Sequence, residues 1–93
     1  MKYLRDVQPL LGLVNIGPTI AGRLSKVGIR TVGDLRTTGV AKAYLRVKAA
    51  EPGLTLPVCY YLYSLQGALD GKHWDDIPEK TKQRLLLEAG LRE

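Results

Sequence analysis

Asn15, Gly17 and Pro18 open a segment in which Thr19, Arg23 and Lys26 recur at spacings of four and three residues. On a helix these three side chains share one stripe. Gly17 lets the backbone turn without a Cβ clash, and Pro18 suits a first helical turn that has no use for its missing N–H. A helix beginning there presents unpaired amides and the positive end of its dipole, an arrangement that favours a bound anion. The chain has a formal net charge of +5, so the polyanion it would meet is a nucleic acid backbone. The expected contacts are the amides near Gly17 and Thr19, the Thr19 hydroxyl, and the cations Arg23 and Lys26. Such contacts position a protein on phosphates and read no base. The competing reading makes Asn15 to Gly17 only a tight connection between helices.

Charge is distributed unevenly. Residues 1–48 carry nine basic residues against Asp6 and Asp34, a net of +7, whereas residues 49–93 carry five against seven, a net of −2. Lys42 and Arg46, one helical turn apart with Arg36 and Lys48 nearby, extend the basic half. They form either a continuation of the anion-binding surface or a plainly solvated face.

No catalytic constellation stands beside these residues. His73 is the sole histidine, next to Trp74 and Asp75, and no serine or cysteine is placed near it by spacing. Asp75 and Asp76 have the look of a helix cap and not of an acid/base pair. Cys59 is the sole cysteine, which excludes an intrachain disulfide, leaves no metal cluster and fits a reducing cytoplasm; it is expected to be buried and unreactive. No cofactor motif is present, and the expectation is a protein that is not an enzyme. Tyr44, Tyr60, Tyr61, Tyr63 and Trp74 are of a type that stacks on single-stranded bases, but their helical positions favour packing in or against the core, with one of the three clustered tyrosines turned outward to a partner or a second copy. No apolar run has membrane-spanning length, and Met1 to Asp6 do not begin an export signal.

The elements that must position these residues are helices. With 93 residues and 45% hydrophobic content, the chain has the size of one domain with a modest core. Every clear period is helical, so the fold class is all-α, a compact single domain over residues 1–93 built of about five short helices. Val7 to Val14, interrupted by Pro9 and Gly12, supplies at most a brief first helix. From Pro18, the residues Ile20, Leu24 and Val27 form an apolar stripe that Gly28 ends. Thr31 and Asp34 have capping-box spacing ahead of a helix that stops near Gly39. The next holds Val40, Tyr44 and Val47 and breaks at Glu51-Pro52-Gly53. A central core helix is expected from about Thr55 to Asp70, with Val58, Leu62, Leu65 and Leu69 inward. A last helix, capped by Asp76 and Glu79, is expected to run through Leu85, Leu86 and Leu87 to Gly90.

The turn ending in Gly17, the short helix, and Val27-Gly28-Ile29 followed by Thr31 and Leu35 resemble a helix-hairpin-helix element. Together with residues Tyr60 to Leu87, they are similar to the C-terminal domain of TfoX/Sxy proteins, bacterial regulators of natural competence. The resemblance covers nearly the whole chain. It implies a compact all-α fold of the SAM and helix-hairpin-helix type, a non-enzymatic regulatory role, and DNA contact or a protein partner. It also implies that the family's N-terminal domain is absent here, and the initial Met1 favours a stand-alone member over a fragment. Duplex-binding helix-hairpin-helix elements carry glycine at both hairpin ends. Here Asn15 stands at the first.

Overall fold

The computed structural model describes residues 5–57 and 59–91, with the backbone alone at 59 and 60. The expectations for Met1 to Leu4, for Val58 and for the side chains of Cys59 and Tyr60 therefore lie outside the described residues. Five α-helices follow in chain order: α1 (Pro18–Lys26), α2 (Val32–Thr38), α3 (Val40–Ala50), α4 (Ser64–Asp70) and α5 (Glu79–Glu88). A π-helical turn, Cys59–Tyr63, runs into α4, and a 3-10 turn, Trp74–Asp76, precedes α5. The fold is all-α, and the one sheet-like pairing among the described residues is an isolated antiparallel bridge between Pro9 and Thr31.

Local chemistry explains most of the helix boundaries. At the end of α1, Gly28 takes φ 85°, and the amides of Gly28 and Ile29 return to the carbonyls of Ser25 and Leu24. That is the Schellman arrangement, with Ile29 and Leu24 both fully buried beside it. Thr31 and Asp34 form the expected reciprocal cap: Thr31 Oγ1 accepts from the Asp34 amide at 3.1 Å, and Asp34 Oδ2 accepts from the Thr31 amide at 3.2 Å. The Arg30 amide also donates to Asp34 Oδ2, and this backbone bond, followed by the Thr31 bonds, holds the Asp34 carboxyl below its ordinary pKa.

Two boundaries differ from expectation, and the segment allowed at most a brief helix has none. Residues 7–14 form turns and no helix. With Asp6 they strap the α1–α2 link instead, with Leu10 N bonded to Arg30 O, Gln8 O to Val32 N and Asp6 O to Gly33 N, while the Leu10 side chain is buried. The segment from Thr55 to Pro57 is not helical, because Pro57 biases Leu56 away from helical geometry. Leu56 is instead buried, and its carbonyl accepts from the Tyr44 hydroxyl. Asp76 ends the 3-10 turn and does not cap α5, which starts behind Pro78 without a side-chain cap.

The core lies where all five helices meet. Leu24, Val32, Leu35, Val47, Leu62, Leu65 and Leu85 are at most 1% exposed. Tyr44 and Tyr61 are buried as expected, with ring centroids 6.4 Å apart. Tyr63 is half-buried beneath the Lys82 ammonium, 5.3 Å from its ring centroid. Of the triplet in α5, only Leu85 is fully buried; Leu87 is 52% exposed.

Candidate nucleic-acid interface

The entry to α1 is built differently from the way its sequence suggests. The left-handed step falls on Asn15, at φ 71°, and not on Gly17, which has φ −97° and ψ −175°. Asparagine tolerates that conformation better than most residues because its short side chain finds local or nearby partners. Here the partners are distant in sequence. Asn15 Nδ2 donates to the carbonyls of Lys72 at 2.8 Å and Ser64 at 3.3 Å, and its Oδ1 accepts from the Trp74 amide at 3.2 Å. The side chain is therefore turned inward as a clamp on the α4–α5 connection, and Asn15 contributes to an anion site only through the backbone shape it sets. Gly67 makes room for this clamp, since a Cβ there would lie 2.6 Å from Asn15 Nδ2 and would also meet the Lys72 carbonyl.

The amino end of α1 is open. Gly17 is the N-cap and supplies no side-chain hydrogen bond, and the first turn contains no acid. Gly17, Pro18 and Thr19 are exposed. The first intrahelical bond runs from the Ala21 amide to the Gly17 carbonyl, so the Thr19 and Ile20 amides have no partner within the helix.

Arg23 and Lys26 are held by an anion of the protein itself. Arg23 Nε lies 3.6 Å from Glu51 Oε2, and Lys26 Nζ lies 4.0 Å from Glu51 Oε1. Arg23 Nη1 also donates to the Tyr61 hydroxyl at 2.6 Å. That hydrogen bond is the main cause of an Arg23 pKa raised above its ordinary value, with Tyr61 and Glu51 adding coulombic support against desolvation. Lys26 remains largely exposed, whereas only 28% of the Arg23 side chain meets solvent.

Between the α1 entry and the segment before α4 lies a groove of about 480 Å3, lined by the hairpin, Ile20, Arg23, Pro57 and Tyr61. Its walls are mainly apolar, and none of its eight lining residues is acidic. Glu51, Pro57 and Tyr61 were not foreseen as part of this region. Glu51 reads as a helix breaker and Tyr61 as a core residue, and nothing in their spacing relates them to residues 15–23.

Lys42 and Arg46 occupy the outer side of α3, opposite Val40, Ala43, Tyr44 and Val47, and both are exposed. Neither makes an ion pair among the described residues, and no bond joins them to the hairpin. Arg36 is turned to Asp6 Oδ1 at 3.0 Å, and Lys48 sits 5.9 Å from the Tyr44 ring centroid. The structure thus brings together Gly17, Thr19, Arg23 and Lys26 at α1 and leaves Lys42 and Arg46 as a separate basic pair.

Comparison with known proteins matches residues 6–89 to the TfoX C-terminal domain model. The chain belongs to the TfoX C-terminal domain family. The same architecture occurs in two solved structures from Listeria monocytogenes. One is the triclinic form of an uncharacterised protein, 29% identical, with a TM-score of 0.74 over 91% of this chain and 98% of that one. The other is the tetragonal form of a protein of unknown function, 30% identical, with a TM-score of 0.71 over 85% of this chain and 94% of that one. No curated protein matches the chain. Among the described residues of this family member, no group of three or more His, Cys, Asp or Glu side chains is arranged to hold a metal ion. Nor is any helix there long and apolar enough to cross a membrane.

Proposed function

We propose that this TfoX C-terminal domain is a non-enzymatic regulatory module that binds DNA weakly and without sequence preference, through phosphate contact at the amino end of α1. The observation that carries this reading is that open end: no capping side chain, no acid in its first turn, exposed Gly17 and Thr19, and the Arg23 guanidinium one turn further on. Backbone amides at a helix start offer a phosphate fixed donors and a favourable dipole. The Thr19 hydroxyl adds a donor, Arg23 and Lys26 supply charge, and Lys42 and Arg46 add a second basic patch that raises the local concentration of a polyanion.

A specific observation favours a second reading, a protein-interaction module. Glu51 partly neutralises Arg23 and Lys26, and the groove beside them is apolar. A protein partner would remain bound at moderate salt, whereas phosphate contact is salt-labile.

The deciding experiment is a salt titration of binding to double- and single-stranded DNA, with the Arg23→Ala/Lys26→Ala double variant alongside. With about three phosphates engaged, the slope of log K against log salt is expected near −3, becoming shallower in the double variant. A flat salt dependence, or unchanged low-salt affinity in the variant, would overturn the phosphate reading.

A further inference from the structure

The polarity of the groove does not suit a phosphate by itself. A site that met only the sugar-phosphate backbone would be expected to offer polar groups all round, yet Pro18, Ile20, Pro57 and Tyr61 contribute to the walls, with a cationic rim at Arg23 and the α1 amides. Its volume of about 480 Å3 lies in the range of small-ligand pockets, roughly 300–1,000 Å3. We infer that the groove is a slot for one unpaired nucleobase whose phosphate rests on the Thr19 and Ile20 amides, so that the domain prefers single-stranded or frayed nucleic acid to intact duplex. This rests on the phosphate reading above and adds the form of nucleic acid to it.

The chemistry follows from two complementary surfaces. A base freed from its stack exposes an apolar π-face, which gains by leaving water against the exposed Pro18 and Pro57 rings, with only the edges of the buried Ile20 and Tyr61 behind them. In a duplex that face is already covered by its neighbours, and the slot stays unfilled. Charge complementarity selects the anion at the rim, where the positive end of α1 and Arg23 stand with no carboxylate among the lining residues, although Glu51 pairs with Arg23 from outside the groove. Arg23 is engaged through Nε and Nη1. A guanidinium has five N–H donors, so its remaining face is available to a base edge or a phosphate oxygen. The groove reads no base, since its walls offer shape and not a donor and acceptor code.

Fluorescence anisotropy on the full chain tests this with three labelled probes of equal length: an oligo-dT strand, an abasic strand with the same phosphates, and a blunt duplex. The expected result is that oligo-dT binds about tenfold more tightly than the abasic strand, the size of a modest single-base stacking gain. Pro57→Ala, at an exposed position, is expected to remove about half of that gain on a logarithmic scale while leaving abasic binding unchanged and the thermal melt intact. Equal affinity for oligo-dT and the abasic strand overturns the slot while the phosphate reading stands. A Pro57→Ala variant that weakens both strands alike also overturns it. Absence of salt-sensitive binding to any of the three probes overturns both, and would turn attention to an apolar protein segment as the occupant.

Discussion

Two short links in the N-terminal half do the same task by opposite means. The link from Val27 to Thr31, between α1 and α2, takes its turn, stop and cap from neighbours in sequence, and the strap from Asp6 to Leu10 is laid across it. Gly28 turns the chain, Ile29 returns to Leu24, and Thr31 and Asp34 cap each other. The link from Asn15 to Gly17, into α1, is fixed by carbonyls and an amide contributed by Ser64, Lys72 and Trp74. The first is closed by its own local bonds, to which the strap from residues 6–10 adds backbone support. The second exists only once the α4–α5 connection has come to rest against it, so the geometry of the candidate phosphate site depends on the far half of the chain.

The contrast is sharpest at Gly67. Gly67→Ala should be the most damaging single change, costing more than about 3 kcal/mol, because its Cβ would collide with backbone as well as with the Asn15 amide. Urea unfolding of the variant tests this, and a loss below about 1 kcal/mol would show that the connection yields easily. Next come the two links compared directly. Asn15→Ala loses three hydrogen bonds and places a less tolerant residue at positive φ, an expected cost of about 3 kcal/mol, whereas Asn15→Gly removes the strain and should recover about 1 kcal/mol of it. Thr31→Ala loses one cap bond and should cost about 1 kcal/mol. Equal losses at Asn15 and Thr31 would abolish the distinction between a remote clamp and a local cap.

The smallest effect concerns acid. The Arg30 amide first, then the Thr31 bonds, lower the Asp34 pKa in the folded chain. A depressed carboxyl contributes stability that is present above its unfolded pKa of about 4 and is lost as pH falls through the folded value. The stability difference between the wild type and Asp34→Asn should therefore be largest near neutrality and shrink below about pH 4. Urea midpoints across that range test it, and a difference that grew on acidification would contradict the cap as the origin.

Much of this was legible beforehand; the rest escaped for two reasons, a distant partner in one case and an intervening proline in the other. The apolar stripes through Ile20 and Leu24, through Val40, Tyr44 and Val47, and through Leu62 and Leu65 are buried as their spacing requires. The Gly28 stop and the Thr31 and Asp34 cap lie where local chemistry puts them. At the candidate site, Gly17, Thr19, Arg23 and Lys26 do cluster on one helix, as their spacing demands. The turn that Gly17 is expected to permit has its left-handed step at Asn15 instead, where a distant set of backbone groups holds the side chain. The expected cap at Asp76 fails because Pro78 separates it from the helix it was to serve.

What the sequence by itself determined is therefore most of what is contained within one helical turn: the periods, the Thr31 and Asp34 cap, the Gly28 stop and the sharing of a stripe. Those relations depend on residues three or four apart, whose geometry is fixed once the backbone is helical. Tertiary structure alone decided that Asn15 faces inward, that Glu51 answers Arg23 and Lys26, and that Pro57 and Tyr61 close an apolar groove beside an open helix end. Each of these joins residues far apart along the chain. Only the packing of helices against a common core sets such distances.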